Sequence, residues 1–378
     1  MRVFCLNSLD ELTPYAEDWE RLAGGVPFRS WTWLSNWWRH YGPRDDGPTR
    51  TQLATLCVFD QDDTLVGIAP WYIDRSAVRG RVLRFLGSGE VCSDYLGVLC
   101  QPGREGPVVE AIADFLVRSA LDDSPDALHW DLLKLDGVDA EDVAMAELGR
   151  HLAGSGCAIH RRPSANCWRL ELPTDWESYT AALGKQQRRT VRRLERQLLD
   201  TERVTLHVVT RFDELTRAMD ILVDLHQRRR RSLGEPGCFA SPRFLAFHRD
   251  VVPELLRRGM VQLYWLEIDG RPAAAEYHLA SGGVLYVYQA GVEPELLDQQ
   301  PGNVINLAIL RWAIERGYRA YDFLRGDEPY KARFGATPRP CVELQIAAPC
   351  PAARWRHNLW LAGNNMKQWI KREMTGTK

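Results

Sequence analysis

The chain has no long apolar run. None of its 378 residues lie in a stretch of the roughly 18 apolar residues that a membrane-spanning helix needs. The amino-terminal residues become polar and acidic by Asp10 and Glu11, too early for the apolar core of a secretory signal. The formal net charge of −2 gives no overall attraction to nucleic acid or to an anionic membrane. We therefore expect a cytoplasmic protein in which any such role depends on a local patch.

Paired cysteines are also missing. The nine cysteines are odd in number, are scattered along the chain and include no CxxC pair. This pattern argues against a disulfide framework and against a zinc site. We expect reduced thiols, several of them buried as small hydrophobic groups, and no metal.

The usual nucleotide fingerprints do not occur. The sequence has neither the Lys-Ser/Thr pair of a P-loop nor a complete GxGxxG motif, so nucleotide hydrolysis is a weak interpretation. It does contain Gln300-Pro301-Gly302-Asn303-Val304, where Pro-Gly begins a predicted helix. Free amides and the helix dipole make such a start a natural seat for a pyrophosphate, and Gly302 allows close approach of the backbone. The alternative is an ordinary helix start with turn residues.

The two halves of the sequence carry the same order of predicted elements. In the first half these are strands at 53–59, 65–73 and 94–99, a Pro-Gly, a helix at 108–120 and a strand at 130–133. In the second half they are strands at 261–268, 272–279 and 285–290, a Pro-Gly, a helix at 304–316 and a strand at 321–324. The length exceeds what one core usually supports. We predict two α/β domains, at 1–165 and 166–350, each a mixed sheet covered by helices, and a basic helical tail at 351–378.

Polar side chains gather around the last of these strands. Asp322 lies in the strand, and Glu328, Tyr330 and Lys331 lie in the loop after it. A carboxylate there can accept a proton from an attacking amine or hydroxyl, and a lysine can hold an anion or stabilise an oxyanion. A solvated loop with surface ion pairs is the alternative.

Two further polar residues interrupt apolar patterns. Glu276 follows Ala273-Ala274-Ala275 in a predicted strand, where a carboxylate is costly unless it is paired, used or turned to solvent. His226 shares a helical face with Leu222 and Arg230, so it either points into a cleft as a base or binding group or has a structural role.

Two segments are basic. Residues 185–196 form an amphipathic helix pattern that suits RNA, anionic lipid or an acidic substrate, or simply a solvated charged face. The tail carries Trp355, Trp360 and Trp369, which is typical of a helix at a membrane surface or of tryptophans packed on the domain.

The sequence resembles the CelD-like (cellulose-biosynthesis type) acetyltransferases of the GNAT superfamily over nearly its whole length up to residue 348. The matching motifs are Phe28-Arg29-Ser30-Trp31, Phe85-Leu86-Gly87, Ser93-Asp94-Tyr95, Leu225-His226-Gln227-Arg228, Pro301-Gly302 and the run from Asp322 to Lys331. In layout the chain is also similar to the FemABX aminoacyl transferases, which use two GNAT-like domains. The resemblance implies tandem GNAT-like domains, the first of them degenerate.

The resemblance also implies a reaction and a site. The reaction is acyl transfer from acyl-CoA, normally acetyl-CoA, to an amine or hydroxyl of a small molecule or of a sugar precursor of a surface polysaccharide. The expected acid/base residues are Asp322, Glu276 and Glu328, and the expected substrate-binding residues are Lys331, Tyr330, His226 and Arg229. The expected CoA-binding residues are Gln289, Gln300, Pro301, Gly302, Asn303 and Val304, although the usual Arg/Gln-x-x-Gly-x-Gly/Ala signature is absent.

Two alternatives remain open. A FemABX-like enzyme would use aminoacyl-tRNA, with the basic helix at 185–196 in contact with RNA. A catalytically inactive protein would keep the fold as a binding module. No DNA partner is expected, and for the C-terminal tail the sequence suggests at most weak contact with a membrane surface.

Overall fold

The computed structural model describes residues 1–43, 50–124 and 127–362. The strands are β1 (Arg2–Leu6), β2 (Thr51–Leu53), β3 (Thr55–Phe59), β4 (Leu65–Ala69), β5 (Trp71–Ser76), β6 (Gly80–Phe85), β7 (Leu99–Cys100), β8 (Leu132–Asp139), β9 (Ala158–Pro163), β10 (Cys167–Glu171), β11 (Val204–Val208), β12 (Val261–Ile268), β13 (Arg271–Ser281), β14 (Val284–Val292), β15 (Ala320–Arg325), β16 (Thr337–Arg339) and β17 (Cys341–Ala347). The helices are α1 (Leu9–Leu12), α2 (Ala16–Leu22), α3 (Trp31–Tyr41), α4 (Glu105–Leu121), α5 (Val143–Gly154), α6 (Trp176–Ala182), α7 (Lys185–Leu194), α8 (Phe212–Ser232), α9 (Pro242–Arg257), α10 (Pro301–Glu315) and α11 (Tyr330–Arg333).

The chain divides into two compact units. The first comprises Met1–Gly24, Phe28–Ser164 and residues 341–362, and the second comprises Gly25–Pro27 and Ala165–Pro340. The first contains a four-stranded sheet, β1-β3-β4-β7, and a six-stranded sheet, β2-β5-β6-β8-β17-β9. The second contains one seven-stranded sheet, β11-β12-β13-β14-β15-β10-β16.

The strands of the second unit follow the predicted pattern closely. The β12–β13 hairpin turns at Asp269 and Gly270, both with positive φ, as a two-residue hairpin turn requires. Successive residues of β13 point to opposite faces of the sheet. Glu276 contacts Asn306 of α10, whereas the ring of Tyr277 packs against His248 of α9, so these two helices cover opposite faces.

Helices around this sheet begin where capping residues dictate. Asp175 accepts a hydrogen bond from the backbone N–H of Ser178 at 2.7 Å and so caps α6. Arg188 of α7 donates to the carbonyls of Thr180, Ala181 and Leu183 at the end of α6. The basic helix is therefore tied to its predecessor by one of its own arginines.

The first unit departs from the predicted repeat in two places. The single strand predicted at 65–73 is two strands, β4 and β5, which belong to different sheets. Pro70 lies between them and has no N–H to continue a ladder. The strand predicted at 94–99 is irregular until β7, and Tyr95 within it has a φ of 59°. These loops depart from the regular strands that the second unit keeps.

The last strand belongs to the first unit and not to the second. The predicted boundary at residue 350 assigned Cys341–Ala347 to that domain, but β17 pairs antiparallel with β8 and with β9 in the first unit. The pairing fills the space between two strands whose edges would otherwise be open. A strand of this composition fits any open edge, so its sequence does not specify which one it joins.

The chain after β17 is helical over residues 351–362, and the rest of the predicted tail, with Trp369, lies outside the described residues. The Arg79 guanidinium stacks on the ring of Trp360 at 3.5 Å, while Trp355 is 66% exposed. Within the described ranges, no helix is both long enough and apolar enough to cross a membrane.

Candidate functional site

Strands β14 and β15 separate soon after they begin. They run parallel over three residue pairs, from Val284 with Ala320 to Tyr286 with Asp322. Beyond that point, among the residues that the structure describes, β14 pairs with β13 alone, and β15 pairs with β10. The β13–β14 register shifts between Val287 and Gln289, so Tyr288, the residue between them, bulges from β14. The separation leaves one edge of β14 open for a ligand to pair with.

Helix α10 begins just after β14 ends. Gln300 adopts a left-handed conformation and its carbonyl accepts the N–H groups of Asn303 and Val304 at 2.9 and 3.1 Å. Pro301 has no N–H, and that of Asn303 is already used. This helix start therefore offers fewer free amides than the pyrophosphate seat that its sequence suggests, and side chains must supply the remaining contacts.

A cavity of about 520 Å³ lies in front of this helix start. It is lined by Gln186, Gln187, Thr190, Val191, Arg193, Leu194, Gln300, Asn303, Leu307, Arg333 and Phe334. The cavity joins three segments that are far apart in sequence: the basic helix α7, the start of α10 and the end of α11. Arg193 and Arg333 give it two cations, and Arg333 is exposed. A cavity of about 640 Å³ in the first unit contains none of the predicted site residues.

Glu276 is the centre of a buried polar cluster. It is 1% exposed, and its two oxygens lie 2.8 Å from Nδ2 of Asn306 and 2.6 Å from Nε2 of His278. The Tyr321 hydroxyl lies 3.3 Å from the same carboxylate and 3.1 Å from Oδ1 of Asn306. Burial raises the pKa of Tyr321 well above its usual value, and the charge of Glu276 adds to this. The predicted acid/base residue is thus enclosed by its own partners rather than open to a substrate.

Asp322 is also fully buried. Its Oδ1 accepts the N–H of Leu324 at 2.8 Å, and Leu324 has a φ of 56°, a conformation that is unfavourable for a leucine. The carboxylate therefore holds the turn that leads out of β15. The geometry gives it a structural task in place of proton transfer.

Lys331, like Asp322, is a buried polar group that holds the backbone after β15. It is 2% exposed, and its Nζ donates to the carbonyls of Leu324, Arg325 and Gly326 at 3.1, 3.0 and 2.9 Å. An ammonium has three hydrogens, so these carbonyls saturate it. Glu328, which is exposed, lies 2.9 Å from the same nitrogen. Lys331 fixes the loop after β15, and of the three predicted acid/base residues Glu328 is the accessible one.

Tyr330 lies at the start of α11 and is 37% exposed. Its ring packs edge-on against Phe323 and Phe334. Burial raises its pKa above the usual value, and the charges of Glu276 and Glu328 act in the same direction. The hydroxyl therefore keeps its proton through neutral pH and can act as a hydrogen-bond donor.

His226 belongs to a second polar cluster, on the α8 side of the sheet. Its Nδ1 lies 3.0 Å from Oε1 of Gln227, and its Nε2 lies 3.5 Å from Sγ of Cys238. Sγ of Cys238 lies 3.5 Å from Oε1 of Gln289 on the bulged part of β14. Burial lowers the pKa of His226, and the charge of Arg230 lowers it further, while the hydrogen bond with Gln227 opposes these effects.

The neighbouring arginines differ in their surroundings. Arg228 donates to Glu293, a carboxylate that is 1% exposed at the end of β14, at 2.7 Å, and Arg271 pairs with the same group. Arg229 is half-buried and its Nη1 lies 3.5 Å from the hydroxyl of Ser232.

The structure thus sorts the predicted residues into three places. Gln300, Asn303 and the basic helix α7 meet at the cavity, whereas Glu276, Asp322 and Lys331 are buried supports. His226 and Gln289 meet at Cys238. Sequence reasoning did not select Asn306, His278, Arg333 or Cys238. Arg333 follows Lys331 in the same polar run and could have been found there.

Part of the chain matches a known protein family. Residues 185–332 match the family model described as an acetyltransferase (GNAT) domain. No curated protein matches the chain.

Solved structures match over most of the chain. FemX has a TM-score of 0.61 at 10% identity, and the match covers 94% of this chain and 99% of that one. A conserved protein of unknown function from Bacteroides thetaiotaomicron VPI-5482 has a TM-score of 0.55 at 10% identity, covering 91% and 100%. The C-terminal domain of a putative lysylphosphatidylglycerol synthetase from Agrobacterium fabrum has a TM-score of 0.53 at 12% identity, covering 94% and 96%. At sequence identities of 10–12%, these matches show that the folds are similar and nothing more.

The chain has the fold of two tandem GNAT-like domains, each with mixed α/β structure and sheets covered by helices, as its sequence predicts. Residues 185–332, which include the separated parts of β14 and β15 and most of the cavity lining, match a GNAT-type acetyltransferase domain. The more particular resemblance to CelD-like proteins stays a prediction.

Proposed function

We propose that this protein transfers an acyl group from acyl-CoA to an amine or hydroxyl of a small molecule or sugar precursor. The observation that supports this most directly is the cavity of about 520 Å³ in which Arg193 and Arg333 face the start of α10. The end of β14 lies beside the same helix start, since a Cβ built on Gly302 would lie 3.5 Å from Cγ1 of Val292. A donor with a phosphorylated end and an extended thioester arm fits these two adjoining features.

The phosphate end of the donor would bind to side chains. Two guanidinium groups offer planar pairs of donors that match phosphate oxygens, and Gln187, Gln300 and Asn303 add neutral donors. This compensates for a helix start in which Pro301 has no N–H and the N–H of Asn303 is used.

The reacting end of the donor would lie along β14. Backbone N–H groups at a strand edge and a bulge are suitable donors to the oxyanion of a tetrahedral intermediate. Tyr330, with its raised pKa, would donate to the leaving sulfur, and the exposed Glu328 would accept the proton of the acceptor. The proposed acceptor in surface-polysaccharide synthesis and the cytoplasmic location come from the family resemblance and the composition.

Calorimetric titration with acetyl-CoA tests this proposal. We expect saturable binding and a rise in melting temperature, because a ligand of the folded state stabilises it. Replacing Arg193 and Arg333 together by alanine is expected to weaken binding by about a hundredfold or more, since charge-assisted hydrogen bonds contribute roughly 1.5–3 kcal/mol each and about 1.4 kcal/mol corresponds to tenfold in affinity. Arg192→Ala is the matched control, because Arg192 is an exposed arginine of the same helix that does not line the cavity. No binding at millimolar acetyl-CoA would refute the proposed donor.

A second candidate, a transferase that uses aminoacyl-tRNA, is favoured by one observation. Lys185, Arg189, Arg192 and Arg196 are exposed and recur at intervals of three or four residues, so they form one stripe along α7 and the turn after it. In the part of the chain that the structure describes, none of the four forms an ion pair. Such a stripe suits a phosphate backbone.

A gel shift with bulk tRNA distinguishes this candidate from the first. The aminoacyl-tRNA candidate predicts salt-sensitive binding of tRNA, and this binding should be lost when all four stripe residues are changed to glutamine. If only the first proposal holds, acetyl-CoA binds, the double replacement of Arg193 and Arg333 weakens that binding, and bulk tRNA gives no shift. Absence of both kinds of binding would favour a catalytically inactive binding protein.

A further inference from the structure

Cys238, His226 and Gln227 are arranged as a nucleophile, a base and a residue that orients the base. Sγ of Cys238 lies 3.5 Å from Nε2 of His226, and the other ring nitrogen, Nδ1, lies 3.0 Å from Oε1 of Gln227. The histidine is 2% exposed, whereas Cys238 is partly exposed, so Cys238 is the more accessible residue of the pair. This succession of contacts is the general signature of an activated nucleophile.

The hydrogen bonds define the tautomer of the imidazole. Nε2 of Gln227 donates to the carbonyl of Pro236 at 3.0 Å, which fixes the orientation of the amide and directs Oε1 to His226. Because Oε1 can only accept, Nδ1 of His226 carries the hydrogen. Nε2 of the neutral ring then has a free lone pair, directed at the thiol of Cys238.

The backbone is shaped to allow this arrangement. Gly237 has a φ of 74°, and a Cβ built on it would lie 2.2 Å from Oε1 of Gln227. On the opposite side, a Cβ on Gly291 would lie 2.4 Å from the backbone nitrogen of His226. Gly237 thus brings the Gln227 amide beside the short 3-10 helix Cys238–Ala240, and Gly291 brings α8 close to β14.

The thiol also lies beside the proposed acyl path. Gln289, the second polar contact of Sγ, belongs to the part of β14 that has separated from β15. With its amide turned over, Gln289 would donate an N–H to Sγ, and the single hydrogen of the thiol would then be directed to Nε2 of His226. The lowered pKa of His226 keeps the ring neutral at neutral pH, so that it is ready to take a proton.

We infer that Cys238 is an acyl acceptor, that His226 is its base, and that acyl transfer in this protein passes through an acyl-cysteine. The inference rests on the proposed transferase function. In the first step the thiol proton moves to Nε2 of His226 while Sγ attacks the thioester carbonyl of the donor. The tetrahedral intermediate expels the donor thiolate, which takes the proton from His226. The products are acyl-Cys238 and the free donor thiol.

The second step transfers the acyl group to the final acceptor. An amine or hydroxyl attacks the carbonyl of acyl-Cys238, and in this two-step route its proton passes to Nε2 of His226 instead of to Glu328. Sγ leaves as a thiolate and is reprotonated from the imidazolium. One thioester is formed and broken, no electrons are exchanged with a redox partner, and Gln227 acts as a positioning residue throughout.

Mass spectrometry of the full chain after incubation with acetyl-CoA tests the acyl-enzyme. We expect one acetyl group on the peptide that contains Cys238, and none in Cys238→Ala. Cys92→Ala, which removes an exposed thiol in the first unit, should be labelled like the parent. Steady turnover at the parental rate in Cys238→Ala, with no acetyl group on the parental chain, would overturn the inference while the proposed transferase function stands.

Alkylation by iodoacetamide tests the nucleophile without any donor. Cys238 should react about tenfold faster than Cys92, and His226→Gln and Gln227→Leu should each lower its rate to that of Cys92, in proteins whose melting temperatures show that they are folded. Equal rates for the two cysteines in the parental chain would overturn the inference. Fast, histidine-dependent alkylation without acetyl-CoA binding would instead refute CoA as the donor and retain the nucleophile.

Discussion

Nε2 of His278 lies 2.6 Å from Oε2 of Glu276, two residues away along the same strand, and both side chains are almost completely buried. Asn306 joins them to the first turns of α10 because its Nδ2 donates both to Glu276 and to the carbonyl of Gly302. The buried cluster therefore connects the central strand to the helix whose start faces the cavity. In this way it supports the helix start beside the proposed donor site.

Removing the carboxylate should destabilise the second unit. Glu276→Ala leaves the amide of Asn306 and the ring of His278 buried without their acceptor, and we expect a loss of roughly 3–5 kcal/mol in the free energy of unfolding. Urea unfolding of the full chain measures it. Glu295→Ala removes an exposed carboxylate that pairs with Arg271 and should leave the transition almost unchanged. Similar midpoints for the two variants would contradict the structural role of Glu276.

Replacing Lys331 should lower the stability of the protein, whereas replacing Arg333 should weaken acetyl-CoA binding. Lys331→Met leaves the carbonyls of Leu324, Arg325 and Gly326 without their shared donor, so we expect a loss of about 2 kcal/mol in stability and a displaced loop after β15. Arg333→Met should keep the melting temperature and weaken acetyl-CoA binding. Melting curves and titrations of both variants check this. An unchanged melting temperature in Lys331→Met would contradict the structural role of Lys331 and favour the predicted role in substrate binding.

Two glycines with nearly the same backbone conformation provide a test of the Gln227 contact. Gly237 and Gly234 have φ values of 74° and 76°, so alanine at either should cost about 1 kcal/mol in backbone strain. Only at Gly237 would the new Cβ meet the amide of Gln227, whereas at Gly234 nothing lies within 4 Å. We expect the larger fall in melting temperature, and slower alkylation of Cys238, in Gly237→Ala. Identical effects of the two changes would show that the contact is not tight.

The lowered pKa of His226 predicts a pH dependence of stability. Because the unfolded chain binds a proton at His226 near the usual value of 6.5 and the folded chain binds it only at lower pH, folding loses stability as the pH falls below about 6.5. The loss ends once the pH is below the pKa of His226 in the folded chain. Above pH 6.5 the residue adds no pH dependence to the free energy of unfolding. Melting temperatures across this range should fall less steeply in His226→Gln than in the parental chain. His151→Gln, on α5, is the control, and parallel curves for all three proteins would contradict the prediction.

The local elements of the second unit were predictable because their causes are local. Asp269 and Gly270 tolerate the positive φ of a hairpin turn, Asp175 caps the helix that follows it, and Pro301 suits the first turn of α10. Each of these signals lies within a few residues of the structure that it determines. In the first unit the same reasoning failed at 65–73, because the chain passes from one sheet to another at Pro70 and the apolar pattern continues through the change.

The candidate site could be predicted only in part. The sequence marked Glu276, Asp322 and Lys331 as polar residues in an apolar context, but whether such a group faces a substrate or a buried partner depends on what the fold brings to it. The partners are Asn306 for Glu276, Leu324 for Asp322 and three carbonyls for Lys331. Cys238 had no signal of its own among nine scattered cysteines.

The sequence by itself determined the order of strands and helices, the tandem arrangement and the basic character of α7, because periodicity, capping and charge are properties of short segments. The tertiary structure alone decided that β17 completes the sheet of the first unit, that α7 shares a cavity with Gln300 and Arg333, and that His226 faces a thiol. Those outcomes depend on which distant surfaces pack together. Packing is governed by the fit of whole faces and by the satisfaction of buried polar groups, and no short segment contains that information.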